Sequence, residues 1–301
     1  MATHHIEPPA APVPRGARIS AAATRFARLP PPMLFVTGAV SQYAGAAFAV
    51  LLFKSVDAAG VAWLRVFAAA AVLLAWRKPW QIAWNRERLA LAAAFGVVVA
   101  AMNLTFYLSI ARLPLGTAVA IEFLGPVAVA ALGSRTRRDT GALGLAVLGV
   151  ALLADVRLSG SPAGVAFALG AGVLWAAYIM LGHRVASDSG LRPHDGLATG
   201  MAVGAVVFAP FTGPIAGPAF AAPDLLIACL AVGVLSSVVP YALEQVAMRR
   251  LPRPRFALLL ALLPATATIM GGIVLGQVPR PAEAVGITLV VLATALRSHA
   301  E

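Results

Sequence analysis

Long apolar runs separated by short polar loops make up the sequence from residue 33 onward. Each run is close to the roughly 20 residues that an α-helix needs to cross a hydrocarbon core about 30 Å thick. Polar residues do not recur at every second position, as they would in the strands of a membrane β-barrel. The pattern predicts an all-α integral membrane protein with ten transmembrane helices, at 33–53, 58–76, 89–109, 114–132, 141–155, 162–182, 196–212, 224–247, 256–276 and 282–297.

The composition supports a membrane protein over a soluble one. The 301 residues are 60% hydrophobic and 12% charged, with a mean hydropathy of +0.86. A soluble domain carries about 25% charged residues, so this chain has too few polar groups to cover a surface in water. The single cysteine, Cys229, excludes a disulfide within the chain.

Residues 1–32 differ from the rest of the chain because they are rich in Pro, Ala and Arg and have no apolar face. We expect a disordered, basic cytoplasmic tail. The first apolar run is too long for a signal-peptide core and lacks a convincing cleavage site, so it should stay in the membrane.

The distribution of basic residues predicts the orientation. If the N-terminus lies inside the cell, the inner loops and tails hold eighteen Lys and Arg residues, whereas the outer loops hold four. Cytoplasmic loops of membrane proteins carry such an excess. Both termini are therefore expected in the cytoplasm. The same excess explains the net charge of +11 without a nucleic-acid partner.

The two halves of the chain repeat one pattern. Pro114 and Pro126 are twelve residues apart, as are Pro252 and Pro264, and each pair follows a tyrosine and begins with Leu-Pro. This predicts two five-helix repeats, at 33–155 and 162–297. An odd number of helices inverts the second repeat. The charges agree, because the loop "WRKPWQIAWNRER" is basic and its counterpart "FTGPIAGPAFAAPD" has no Lys or Arg. Inverted repeats are typical of secondary transporters, with the binding site near the midplane.

Two charged residues fall well inside predicted helices. Glu122 lies about eight residues from the predicted outer boundary and Arg65 about seven, so both are roughly 10–12 Å deep at about 1.5 Å per residue. A charge at that depth costs about 2.5–3.5 kcal/mol even on lenient scales, so it usually pairs or faces a cavity. The two residues could form a structural ion pair, or Glu122 could belong to a binding site.

The proline four residues after Glu122 favours the binding site. Pro126 has no N–H and displaces the carbonyl four residues earlier, which belongs to Glu122. The helix therefore exposes a backbone acceptor beside a carboxyl group, and Gly125 is expected to leave room for a ligand.

Other polar or aromatic residues in the apolar runs are weaker candidates for the site. A lone membrane Tyr or Trp is more often an interfacial anchor than a ligand contact. Glu244 could equally form a salt bridge with Arg249 near the interface. We detect no nucleotide-binding or metal-ligand spacing, and expect no catalytic residue, metal or cofactor. The additional candidates are Gln42, Asn103, Tyr107, Trp175, Tyr178, Tyr241 and Glu244.

Several segments resemble a known family. "FYLSIARLPLGTAVAIEFLGPVAVA", "GAGVLWAAYIMLGHR", "VVPYALEQVAMRRLPRPRF" and "SQYAGAAFAVLLFK" look like the threonine/homoserine exporter branch of the EamA-type drug/metabolite transporters. The similarity covers residues 33–297. This sequence departs from the family pattern at Leu263, where relatives carry an acid, and at Gln277, where many carry Glu. Glu122 is thus left as the main acid of the core.

The resemblance implies a multi-pass inner-membrane transporter that exports small amino acids in exchange for protons. Glu122 would then exchange a proton for the ammonium group of the cargo. Its partners would be a small amino acid, protons and the lipid bilayer. Two alternatives stay open: an exporter of aromatic amino acids or amphiphilic drugs, and a membrane enzyme or assembly factor without transport activity.

Overall fold

The computed structural model describes residues 29–133, 137–158, 161–188, 193–241, 243, 250 and 259–298. Within these ranges the regular secondary structure is helical. Short 3₁₀ turns lie at Pro79–Gln81 and Pro214–Ala216, and a π-turn lies at Val234–Val238. The α-helices are α1 (Pro31–Leu52), α2 (Ala58–Arg77), α3 (Arg86–Ile110), α4 (Leu115–Glu122), α5 (Leu124–Gly133), α6 (Arg137–Leu158), α7 (Pro162–Ser187), α8 (Pro193–Thr212), α9 (Gly217–Ala221), α10 (Pro223–Gly233), α11 (Leu262–Leu275) and α12 (Pro281–Ser298).

Six helical segments in the described ranges are long and apolar enough to cross a membrane. They are Pro31–Leu52, Ala58–Arg77, Arg86–Ile110, Pro162–Val185, Asp195–Thr212 and Pro223–Tyr241. Four shorter apolar helices follow the remaining predicted spans, at Leu115–Val129, Thr140–Leu153, Leu262–Leu275 and Pro281–Leu296. The all-helical membrane class is therefore confirmed for the described residues, and the total of ten crossings stays a prediction.

Two predicted spans differ in detail from the structure. The span predicted at 114–132 is not one continuous helix, because α4 ends at Glu122 and α5 begins at Leu124. The span predicted at 224–247 passes through the π-turn, and its residues 242 and 244–247 lie outside the described ranges. Of the tail predicted at 1–32, residues 1–28 also lie outside them, and its last two residues belong to α1, which begins at Pro31.

Local capping explains where several helices begin. The side chains of Asp57, Asn85 and Ser161 each accept a hydrogen bond from a backbone N–H in the first turn of α2, α3 and α7, respectively. Such caps satisfy donors that a helix N-terminus otherwise leaves unpaired. A single polar residue at the end of each of these short loops is therefore enough to begin the next apolar helix.

Helices of the first half pack on helices of the second. Three such pairs are α2 with α8, α4 with α11, and α6 with α12. In addition, α3 packs on α7 and α8, and both α1 and α2 pack on α10. A twofold relation between two five-helix repeats would produce this exchange of partners. Two ion pairs join the same halves, Arg77 to Asp195 at 3.0 Å and Arg88 to Asp188 at 3.1 Å.

Glycines permit the closest of these contacts. On α8, a Cβ atom added to Gly200 would lie 2.8 Å from the carbonyl oxygen of Ala92, and one added to Gly204 would lie 2.5 Å from that of Gly96. A Cβ on Gly96 would collide with the backbone of Gly200. The two glycines of "GMAVG" (200–204) therefore bring α8 close to α3, as small residues do where membrane helices pack.

We predict that Gly96→Ala lowers the thermal stability of the purified protein, because the added methyl group meets backbone that cannot rotate away. Overpacking of this kind costs about 1–3 kcal/mol. Gly170→Ala is the matched control, since a Cβ there would have no atom within 4 Å. Thermal unfolding in detergent measures the difference, and equal midpoints for the two variants would contradict the packing account.

Candidate functional site

Glu122 and Arg65 are both buried, and they lie on different helices. Glu122 is the last residue of α4 and Arg65 lies in the middle of α2; each is 7% exposed. Glu122 and Arg65 form no hydrogen bond with each other, and no ion pair within 4 Å. The two ion pairs found among the described residues are made by Arg77 and Arg88. The direct structural ion pair is therefore not formed in this conformation.

Arg65 is instead held by neutral groups. Its Nε donates to the hydroxyl of Ser237 at 2.9 Å, and its Nη2 donates to the carbonyl of Ser236, also at 2.9 Å. The guanidinium lies over the ring of Tyr107, with Cζ 5.2 Å from the ring centroid. A cation over an aromatic face is attracted by the ring quadrupole. These contacts fix the orientation of the guanidinium without neutralising its charge.

The π-turn at Val234–Val238 supplies the two serine contacts. Pro240 has no N–H, so the carbonyl four residues earlier, that of Ser236, has no α-helical donor and accepts from Arg65 instead. The preceding carbonyl, of Leu235, accepts from the hydroxyl of Ser41 on α1 at 2.7 Å. Sequence reasoning missed Ser236 and Ser237, although the argument applied to Pro126 would have found the freed carbonyl at Pro240.

Tyr107 and Asn103 lie one turn apart on α3. Tyr107 is fully buried and packs against Phe53 and Phe106, with ring centroids 5.9 and 6.0 Å away. Its hydroxyl has no hydrogen-bond partner within the described part of the chain. Asn103 is buried too, but its Nδ2 donates to the carbonyl of Val99 in the same helix at 2.8 Å. Of the two, Tyr107 is the residue that contacts Arg65.

The break after Glu122 is packed tightly against α7. The ring of Trp175 meets Phe123 edge-to-face, with centroids 4.9 Å apart. A Cβ on Gly172 would lie 2.8 Å from the carbonyl oxygen of Glu122, and a Cβ on Gly125 would collide with the backbone of Gly172. The expectation that Gly125 leaves room for a ligand is therefore wrong, because α7 fills that space. The carbonyl freed by Pro126 is covered by the same helix.

The other candidates lie farther from this contact set or outside it. Tyr178 stacks on Phe95 with centroids 5.2 Å apart, in a separate cluster of the core. Gln42 is half-buried on α1, next to the serine that binds the π-turn. Tyr241 is half-buried three residues beyond the π-turn. Glu244 lies outside the described residues.

The helix that carries Glu122 is fixed at its other end by the second half of the chain. The N–H of Leu115 donates to Oε1 of Gln277 at 2.9 Å, and the hydroxyl of Thr117 donates to the buried Glu283 at 3.2 Å. Glu283 also accepts from the N–H of Arg280 at the start of α12. Since Pro114 gives no side-chain cap, Gln277 performs that role for α4. Sequence reasoning noted Gln277 only as a departure from the family pattern.

Comparison with known proteins found a matching family model and several similar proteins. The model of the EamA-like transporter family matches residues 162–298. The threonine/homoserine exporter RhtA of Escherichia coli K12 is 36% identical over 267 residues, which cover 88% of this chain and 90% of the exporter. The exporter of the same name from Salmonella typhimurium LT2 is 39% identical over 250 residues, 82% of this chain and 84% of its own.

The fold is similar to that of a protein whose crystal structure has been solved. That structure matches with a TM-score of 0.56 at 18% identity and covers 88% of this chain and 96% of its own. At that identity the likeness concerns the fold alone.

We predict that Gln277→Leu destabilises the protein by about 1–3 kcal/mol, because it leaves the N–H of Leu115 without its acceptor. Gln277→Glu keeps an acceptor oxygen and adds a negative charge at a helix N-terminus, which favours the helix by about 0.3–1 kcal/mol. Thermal unfolding in detergent should therefore place the Glu variant at or above the wild type and the Leu variant below it. Identical midpoints for both variants would show that the cap contributes nothing.

Proposed function

Because the chain belongs to the threonine/homoserine exporter branch of the EamA-like transporter family, we propose that it is an inner-membrane secondary transporter that exports small amino acids in exchange for protons. The observation that carries the mechanism is a buried carboxyl group, Glu122, that forms no hydrogen bond or ion pair with the buried guanidinium of Arg65.

The energetic cost of this arrangement supports a role in transport. Ionisable residues at membrane depth are expensive and usually face a partner or a pathway. Glu122 has no hydrogen bond or ion pair to another described residue, whereas Arg65 uses two serines as neutral supports. An acid with a purely structural role would be expected to form an ion pair with the guanidinium of Arg65. An acid that binds and releases cargo has to remain available.

The transport cycle follows from competition for one carboxylate. In the inward-facing state Glu122 is ionised and binds the ammonium group of the amino acid. In the outward-facing state a proton from outside takes the place of the ammonium group, and the cargo leaves. The protonated acid returns inward and releases the proton to the cytoplasm, so each exported molecule moves with the inward flow of a proton.

The topology that fits this cycle has ten crossings in two inverted repeats, at 33–155 and 162–297, with both termini in the cytoplasm. The packing of helices from one half on helices of the other supports the two repeats. The excess of Lys and Arg in the predicted inner loops supports the cytoplasmic termini. The ion pairs of Arg77 and Arg88 then lie at the cytoplasmic end, where they join the two halves.

Cysteine labelling tests the topology. In a chain whose Cys229 has been replaced, Ala83→Cys and Ala221→Cys place single thiols at two exposed positions. An impermeant maleimide added to intact cells should label position 221 and leave 83 unlabelled until the cells are opened. Labelling of position 83 from outside would contradict the proposed orientation.

Export itself is tested in cells loaded with L-threonine or L-homoserine. The wild type should speed efflux and protect the cells from growth inhibition by these compounds. Glu122→Gln keeps the shape but cannot ionise. Loss of a charge-assisted hydrogen bond worth about 1.5–3 kcal/mol predicts efflux at least about tenfold slower.

The matched control is Glu87→Gln, which removes an exposed acid from the first turn of α3. It should export like the wild type at equal expression. If Glu122→Gln also transports normally and only its thermal stability falls, the coupling role is wrong. Protection limited to large aromatic or cationic compounds would favour the drug-export alternative.

A further inference from the structure

Arg65 has hydrogen-bonding capacity that the described residues do not use. A guanidinium carries five N–H donors in a planar fork. The two hydrogen bonds to Ser236 and Ser237 use Nε and one N–H of Nη2. The Nη1 amino group and the second N–H of Nη2 are left without a hydrogen bond among the described residues, and the residue as a whole is only 7% exposed. The geometry of such a fork matches a carboxylate, which binds through two parallel hydrogen bonds.

The orientation of this fork is set before any ligand arrives. Ser236 and Ser237 of the π-turn accept its hydrogen bonds, and its Cζ lies over the ring of Tyr107, 5.2 Å from the ring centroid. A donor group with a fixed orientation loses little side-chain entropy on binding. The arrangement therefore has the rigidity of a binding site, which a charge that only anchors helices does not require.

The tyrosine whose ring lies beneath the Arg65 guanidinium also has a polar atom without a partner among the described residues. The hydroxyl of Tyr107 is fully buried and makes no hydrogen bond within the described ranges. An unsatisfied buried polar group costs about 1–3 kcal/mol, so such groups in native structures need an explanation. A ligand oxygen held by Arg65 would supply the missing acceptor.

We propose that Arg65, positioned by Ser237 and the Ser236 carbonyl and assisted by the Tyr107 hydroxyl, binds the α-carboxylate of the cargo. The inference rests on the proposed function and extends it, because Glu122 takes only the ammonium group. A zwitterion then bridges Arg65 and Glu122, which form no direct ion pair with each other. The substrate class is restricted to amino acids whose α-carboxylate is free.

Inside-out membrane vesicles test this restriction. Uptake of labelled L-threonine is measured against unlabelled L-threonine and against L-threoninamide, which keeps the amine and the hydroxyl but has no carboxylate. In the wild type, threonine should compete at least about tenfold better than the amide, which corresponds to about 1.4 kcal/mol. In the Arg65→Gln variant, threonine and the amide should inhibit the uptake of labelled threonine equally to within about twofold, whatever uptake rate this variant retains.

A second pair of variants keeps the test decisive if Arg65→Gln does not fold. Ser237→Ala removes the acceptor of the Arg65 Nε and should narrow the preference for threonine over the amide. Ser41→Ala removes a hydrogen bond from the same π-turn without touching Arg65 and should keep the wild-type preference. A merely structural role for Arg65 would change rates and stability in these variants but not the ratio of the two competitors.

The outcomes separate the inference from the function on which it rests. If the wild type transports threonine but the amide competes equally well, the carboxylate site is wrong and the exporter proposal stands. If both serine variants keep the wild-type preference, the positioning role of Ser237 and with it the inference are overturned. If the wild type transports neither threonine nor homoserine, both proposals fail together.

Discussion

The rest of the structure depends on how two buried ionisable groups, the carboxyl of Glu122 and the guanidinium of Arg65, are supported without a direct bond between them. A charge inside the bilayer costs at least about 2.5 kcal/mol, and a direct contact between Glu122 and Arg65 would be the simplest way to offset it. The protein supports Arg65 with two serines and an aromatic ring instead, and leaves the carboxyl of Glu122 without a hydrogen bond to any described residue. This choice makes sense if a ligand with both charges completes the site.

Tight helix packing positions these charges. Glycine contacts bring α3 against α8 and α5 against α7, so the backbone around Glu122 is closely packed. The amide of Gln277 fixes the first residue of α4 from the other half of the chain. The proposed site therefore includes elements of both halves, and a relative movement of the halves would change the surroundings of Glu122 and Arg65 together.

The sequence was enough to predict the helical class, the approximate spans and the two buried charges, because each contrasts with apolar neighbours. It was not enough for the π-turn, since nothing local indicates that the carbonyl freed by Pro240 accepts from Arg65, a residue far away in the chain. The same limit explains the error at Gly125, because a glycine beside a helix break can admit either a ligand or another helix. Only the position of Gly172 decides between them.

The central claim is that Glu122 exchanges a proton for the ammonium group of the cargo. The most direct measurement follows the pH of a weakly buffered solution of purified protein at slightly acidic pH while L-threonine is added, with binding recorded in parallel. The account predicts that binding releases protons from the wild type and that Glu122→Gln releases none. Binding of threonine by the wild type without any proton release would contradict it.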